Sequence, residues 1–376
     1  MFGTEGSQRL RASWFPAFSY LWAAILRDFR TFSFTLAGCG ISATVAIFQF
    51  AVLTSFLSAA TVFPRLIDAD VWIGGYGVKC FDLPSSISES NAASLLRYFP
   101  GATYRRVYVG MVPFESPRGR GIDVSLVGFD GLPLSPSTFT VDRSDTGLLD
   151  LSSKDTGAEV GTSAADFVPS DIRIATFLGP PYIVMSPADA AHAMQMPLDM
   201  LSFIAFNVPA MTKLDLAARI RAASAQNPQL MIKSGSSFVF DTGAYWLTKT
   251  GGGAAIMLAC FLASSLMIVF IVNGISRFVQ RRHDDIMTML GFGSSRDDIG
   301  RILILVALLF SVGGVVIGLL AAPLLTLAVR PLIPWVAMSL GDFQFAVAMI
   351  AICALWGATD SHFEVHRLPL AEIFRT

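Results

Sequence analysis

Four stretches of the chain carry no charged residue and are apolar enough to be set against lipid. They run from Thr31 to Pro64, Thr250 to Ser276, Ile302 to Val329, and Phe343 to Thr359. Crossing a bilayer takes about 20 apolar residues of helix, and the fourth run is the shortest of the set. A buried core helix is the competing reading for any one run, and it is weakest for the second and third, which are long and unbroken. The first run is too long, and too much sequence precedes it, for a cleaved signal peptide. Composition agrees with lipid burial: 53% of the 376 residues are hydrophobic and only 15% charged, where soluble domains carry about a quarter charged. The balance of 27 Lys+Arg against 28 Asp+Glu argues against a nucleic-acid binder, which would show a basic excess.

Spacing turns the four runs into an architecture. One span is followed by about 185 intervening residues, enough for a core of its own, and then by three spans close together. Arg9, Arg11, Arg27, Arg30, Arg277, Arg281, Arg282, Arg296, Arg301, Arg367 and Arg375 fall on one side. Arg65, Lys249 and Arg330 lie near the membrane on the other. The positive-inside rule puts both termini in the cytoplasm and residues 65–249 outside. The division is then 1–30 as a cytoplasmic or interfacial amphipathic helix, 31–64 as the first spanning helix and 65–249 as the extracytoplasmic domain. Residues 250–276 make the second spanning helix, 277–301 a cytoplasmic loop, 302–329 the third spanning helix, 330–342 a short external loop, 343–359 the fourth spanning helix and 360–376 a cytoplasmic tail. Trp14, Phe18, Leu21, Trp22, Ile25 and Leu26 recur at helical spacing ahead of Arg27 and Arg30. They fit either a helix lying in the interface or an extension of the first spanning helix.

The external segment reads as α+β. Asp70 to Ile73, Arg105 to Phe114, Ile122 to Phe129, Ile172 to Phe177, Tyr182 to Met185 and Ser202 to Val208 have strand character, and Pro117 to Gly121 is a turn. Ser186-Pro187-Ala188-Asp189 and Thr212-Lys213-Leu214-Asp215 are helix starts, the second helix running to about Gln226. A third helix is expected from Ser88-Glu89 to near Pro100-Gly101, and Gly131 to Asp171 reads as irregular connection. Cys39, Cys260 and Cys353 lie in apolar runs, which leaves Cys80 without a partner, so no intrachain disulfide is expected.

The chain contains no G-x-x-x-x-G-K-[ST], G-x-S-x-G, H-E-x-x-H or C-x-x-C. Its four histidines do not gather outside the membrane, and no spanning run holds an internal charge of the kind ion-coupled transporters keep. No catalytic residue, metal ligand or directly bound cofactor is expected, and the energy source is expected to be a partner protein. The informative stretch is Arg277 to Arg301 (RFVQRRHDDIMTMLGFGSSRDDIGR). Ile286, Met289 and Leu290 share a helical face with Asp285, Gly291 and Gly293 stop the helix, and Ser295 to Asp298 forms a capping box opening the third spanning helix. The apolar face fits the lipid interface or a groove on another protein.

At this loop the chain resembles the permease subunits of the MacB/FtsX/LolC class of ABC transporters, and most of all the DevC-type permeases. The resemblance rests on Arg281-Arg282, Asp284-Asp285, the run Ile286 to Leu290, Gly291-Phe292-Gly293-Ser294, and the long helix from Ile302. Tyr245 to Gly251 and the C-terminal Leu368 to Phe374 add to it. His283 stands where the family usually has an acid, and Leu368 and Leu370 depart from its terminal pattern. The resemblance implies a paired permease, likened to a homodimer, with separate ATPase subunits that bind the ATP and Mg. Arg282, Asp284, Asp285, Ile286, Met289, Leu290, Gly291 and Gly293 would form the coupling loop on the ATPase. It also implies a bacterial inner-membrane location, a periplasmic membrane-fusion protein, an outer-membrane channel, and export of a lipid, glycolipid or other hydrophobic substrate. The other role found in that class is an FtsX-like signal transducer that transports nothing and controls an external partner.

Overall fold

The computed structural model describes residues 17–143, 145–152, 157–168, 180–197, 199–209, 211–333 and 335–367. The chain divides into two units. One comprises residues up to 54, 255–332 and 336 onward; the other comprises 55–254 and 333–335.

The first unit is helical. A helix over 17–27 (α1) is followed, after the single turn residue Asp28, by α2 (Phe29–Ala60). Then come α8 (Gly251–Arg281), α9 (His283–Gly291), α10 (Arg296–Val329) and α11 (Leu340–Arg367), the intervening helices belonging to the second unit. Among the described residues four helices are long and apolar enough to cross a membrane: α2, α8, α10 and residues Leu340–Phe363 of α11. At about 1.5 Å per residue, even the 24 residues of the last exceed a hydrocarbon core of about 30 Å. Helices α8, α10 and α11 outrun their charge-free stretches because charged residues continue them, whereas α2 starts two residues ahead of its stretch and ends at Ala60, short of Pro64. The first turn of α10, for instance, holds Asp297 and Asp298.

Small residues let α2 and α10 meet backbone to backbone. A Cβ on Gly314 would stand 2.7 Å from Cys39 Cβ, and one on Gly318 would stand 2.8 Å from Ala43 Cβ. Close packing of this kind is what holds helices together where lipid removes the hydrophobic driving force. Phe32 packs on Phe278 and Phe310, with centroids 5.9 and 5.7 Å away.

The second unit is the α+β domain between the first and second spanning helices. Its main sheet has nine strands: β1 (Val71–Gly75), β3 (Thr103–Glu115), β4 (Gly121–Phe129), β5 (Thr138–Thr140), β6 (Ala158–Val160), β7 (Ser163–Phe167), β8 (Tyr182–Met185), β10 (Phe203–Asn207) and β11 (Leu230–Ser234). Their order is β11-β1-β10-β3-β4-β8-β5-β7-β6, and β3 also pairs with β6. The long β3–β4 hairpin runs in register from Val107↔Phe129 to Glu115↔Gly121. β2 (Ile87–Ser88) and β9 (Met200–Leu201) form a separate pair.

Because successive side chains in a strand point to opposite faces, the sheet sorts its residues into two cores. Val71, Ile73, Ile183, Ile204 and Phe206 face one side, together with the core residue Leu95 from α4 (Ser90–Leu95), Ala190 from α5 (Pro187–Ala193) and Ala223 from α6 (Lys213–Gln226). Trp72, Tyr182, Val184, Phe203 and Ala205 face the other, under Phe63 and Ile67 of α3 (Val62–Ile67) and Phe238 of α7 (Gly235–Lys249). The helices that continue the chain from α2 and into α8 therefore pack on one face of the sheet, over the part built from β1, β3, β4, β8, β10 and β11, together with Val78 and Phe81 of the loop after β1.

Several expectations need correction. Gly131 to Asp171 is not merely irregular, since it supplies β5, β6 and β7. These strands are three to five residues long, too short to show a hydrophobic period among Ser, Asp and Gly. The helix expected to reach Pro100 ends at Leu95, with turns continuing to Gly101 at φ +76°. The expected strand Ile172 to Phe177 lies outside the described residues, as does the tail from Leu368 onward. The four cysteines are free and buried.

Candidate functional site: the loop between the second and third spanning helices

Two caps define this loop. α9 ends in a Schellman motif: Ser294 N–H donates to Met289 O and Gly293 N–H to Leu290 O, both at 3.0 Å, with Gly293 at φ +92°. Only glycine adopts that conformation without strain. Two residues later, Ser295 caps α10. Its Oγ accepts from Asp298 N at 3.2 Å, while its own N–H donates to Asp298 Oδ2 at 3.0 Å, the reciprocal capping box read in the sequence. The connection is thus closed by hydrogen bonds at both ends, and Phe292 sits at its apex, 89% exposed.

The residues singled out in the sequence do not share one environment. Ile286 is only 2% exposed and belongs to the helical unit's own core, and Met289 and Leu290 pack against the same core. Arg282 is buried as well. Its Nη2 donates to Asp28 Oδ2 at 2.5 Å and to the Ala24 carbonyl at 3.3 Å, and its Nη1 donates to Asp285 Oδ2 at 2.9 Å. Asp285 is thereby held by Arg282, while Asp284, Gly291 and Gly293 are exposed. The exposed line along the end of α8, through α9 and onto the apex is Arg277, Arg281, Asp284, Thr288 and Phe292. The helical period correctly groups Asp285, Ile286, Met289 and Leu290, but that face turns inward. It is covered in part by α1, whose Ala17, Leu21 and Ala24 join the same core. Tyr20 of α1 stands beside this cluster, and burial, reinforced by the Asp285 charge, pushes its phenol up.

Helical periodicity does not point to Phe292; its signal in the sequence is its place between Gly291 and Gly293, past the end of the apolar face of α9. Among the described residues no group of three or more His, Cys, Asp or Glu side chains is placed to hold a metal ion.

A second arrangement, in the α+β domain, had no sequence signal. Asp82 is half-buried and accepts hydrogen bonds from Tyr182 Oη at 2.5 Å and from Trp246 Nε1 at 2.7 Å. Burial raises its carboxyl above the ordinary range, although both hydrogen bonds act in the opposite direction. Trp246 lies on α7, so Asp82 fastens that helix to β8. Beside it, Trp72 stacks on Phe238 with centroids 4.9 Å apart, and Phe63 meets Tyr182 at 4.9 Å. Cys80, next to this cluster, is 1% exposed and burial pushes its thiol up to about 11.

Residues 255–359 match the family described as FtsX-like permease, C-terminal. The match takes in α8 from its fifth residue, the capped loop, α10 and most of α11. No curated protein matches the chain. Among solved structures, the chain is similar to the periplasmic region of MacB from Actinobacillus actinomycetemcomitans (6% identity, 45% of this chain and 90% of that one, TM-score 0.32). It is also similar to the extracellular domain of the noncanonic ABC-type transporter YknZ from Gram-positive bacteria (8% identity, 44% and 98%, TM-score 0.31). A third is a domain of a putative permease protein from Porphyromonas gingivalis (10% identity, 45% and 89%, TM-score 0.26).

Proposed function

We propose that this chain is the membrane subunit of an ABC export system of the bacterial inner membrane, with both termini cytoplasmic and the α+β domain outside. A separate ATPase docks on the loop 277–301, and its closure on ATP is passed through the spanning helices to the external domain. The observation that carries this reading is the exposed Phe292 at a doubly capped apex, inside the segment that matches the FtsX-like permease family. An exposed aromatic on a rigid support loses little entropy on docking and supplies a large apolar area. The exposed Arg277 and Arg281 at the end of α8 and Asp284 at the start of α9 would steer association. Ile286 and Leu290, already packed inside, hold the loop's shape instead of contacting the ATPase.

In the α+β domain, α3 follows α2 in the chain and α7 precedes α8, and both pack on one face of the sheet, so motion arriving through α2 or α8 has a packed surface to act on. In this reading two copies pair in the membrane, a periplasmic membrane-fusion protein and an outer-membrane channel complete the DevC-like route, and the cargo is a lipid, glycolipid or other hydrophobic molecule. The test is co-purification from nanodiscs with candidate ABC ATPase subunits from the same cell. A stoichiometric complex that Phe292→Asp abolishes, with the spans and external domain intact, is expected. A complex indifferent to Phe292 would move the docking surface elsewhere.

A further inference from the structure

Arg282 has a role that docking alone does not require. It lies at the junction of α8 and α9, yet two of its three hydrogen bonds go to the N-terminal segment, to Asp28 and to the Ala24 carbonyl in the last turn of α1. The third goes to Asp285 in the first turn of α9. Its side chain is 7% exposed, against 29% for Asp28 and 40% for Asp285. A planar guanidinium is suited to bridging several acceptors at once, which an ammonium does less well. A cation at a helix C-terminus is also favoured by the helix dipole. The contact is backed by packing, since Ala17, Leu21 and Ala24 of α1 share one core with Ile286 of α9.

We infer that Arg282 is a positioning residue that latches α1 to the loop, so that α1 and α9 move as one piece when the loop is pushed. The stroke then enters α2 through Asp28, at the α1–α2 junction, as well as α8 directly. This rests on the docking reading for the origin of the push, but the latch itself is a property of the isolated chain. The outer side of α1, with Phe18, Trp22 and Leu26 exposed, is left free to slide in the lipid interface while the inner side is held.

The first test needs no ATPase. Spin labels on Trp22→Cys and Thr288→Cys, both exposed positions in a protein whose native cysteines are buried, report the α1–α9 distance in nanodiscs. A single narrow distance is expected in the parent and a broadened one in Arg282→Met. Asp28→Ala, which removes that acceptor and keeps the Asp285 and Ala24 contacts, should fall between them and serves if Arg282→Met is too unstable to purify. An unchanged narrow distance in Arg282→Met or in Asp28→Ala overturns the latch.

The second test uses the complex with the ATPase. Arg282→Met should bind the ATPase within about twofold of the parent yet lose the effect of the permease on ATP turnover. In Asp28→Cys/Arg282→Cys, a short bismaleimide added after folding should restore that effect, which a residue needed only for folding would not allow. Lost ATPase binding in Arg282→Met would make Arg282 a docking contact and overturn the proposal, as would unaltered turnover or failed rescue. If the ATPase does not bind even the parent protein, the docking reading fails, while the distance measurement still decides the latch.

Discussion

Phe292 is the residue on which the docking account can be pressed hardest. It is 89% exposed, so removing its ring costs the free chain almost no packing. Burying a Phe side chain in a partner's groove is worth about 1.5–3 kcal/mol. Phe292→Ala should therefore weaken ATPase binding by roughly 2 kcal/mol, or about 30-fold in Kd. Phe292→Asp adds the cost of placing a charge in a desolvated pocket and should abolish capture. The comparison is Ile286→Ala at 2% exposure. Truncating it opens a cavity in the helical unit, costing about 2–5 kcal/mol of the unit's own stability, with a loss of thermal stability that Phe292→Ala lacks. Titrating labelled ATPase onto nanodisc-embedded variants gives the affinities, and thermal unfolding gives the stabilities. If Phe292→Ala binds within threefold of the parent while remaining folded, the apex is not the anchor and the reasoning fails.

Other consequences follow from the packing and from the buried carboxylate. Gly318→Leu would drive a side chain into Ala43, where even a Cβ stands at 2.8 Å. It should cost about 1–3 kcal/mol or more, seen as a drop in thermal stability in nanodiscs, whereas Leu320→Ala at a position 71% exposed should be nearly silent. Asp82 binds its proton more tightly in the folded state, so its contribution to stability is greatest at low pH. That contribution falls as pH rises from the ordinary carboxylate range through the raised folded value. Asp82→Asn, which keeps an acceptor for Trp246, should flatten that fall in a pH series of unfolding curves. A mutant with the parent's slope would contradict it. With native Cys80 buried, topology is read from added thiols. Leu214→Cys (83% exposed) should react with an impermeant maleimide from outside and Thr288→Cys only from the cytoplasmic side; the reverse would invert the orientation.

What could be read from the sequence follows from how local each signal is. The four spans announce themselves because charge is excluded over their whole length. The strands β1, β4, β8 and β10, and the inward positions of β3, are rich in Val, Ile and Phe. The starts of α5 and α6 were legible because Ser186 and Thr212 accept from the N–H three residues on, at 3.2 and 3.1 Å, a contact that needs no tertiary context. Short strands such as β6 carry too few residues to show a period; β6 pairs locally with β7 across Gly161 and Thr162 and distantly with β3. α7 carries a comparable cap, with Ser234 Oγ accepting from Ser237 N at 3.3 Å, but its mixture of Thr, Gly and aromatic residues shows no helical period in the sequence. At the loop, periodicity grouped Asp285, Ile286, Met289 and Leu290 on one face but could not tell what covers them. Part of the cover is α1, and Arg282 reaches Asp28 across 254 positions of sequence, a pairing no local pattern encodes.

The central claim is that ATP-driven motion at the loop reaches the external domain. Hydrogen exchange measured on the nanodisc complex with a hydrolysis-deficient ATPase, with and without ATP, tests it directly. Expected is an ATP-dependent change in protection of α7, Gly235–Lys249, at the external end of the second spanning helix, and its disappearance in Phe292→Asp. An α7 that exchanges identically with and without ATP, or a response that persists in Phe292→Asp, would contradict the account.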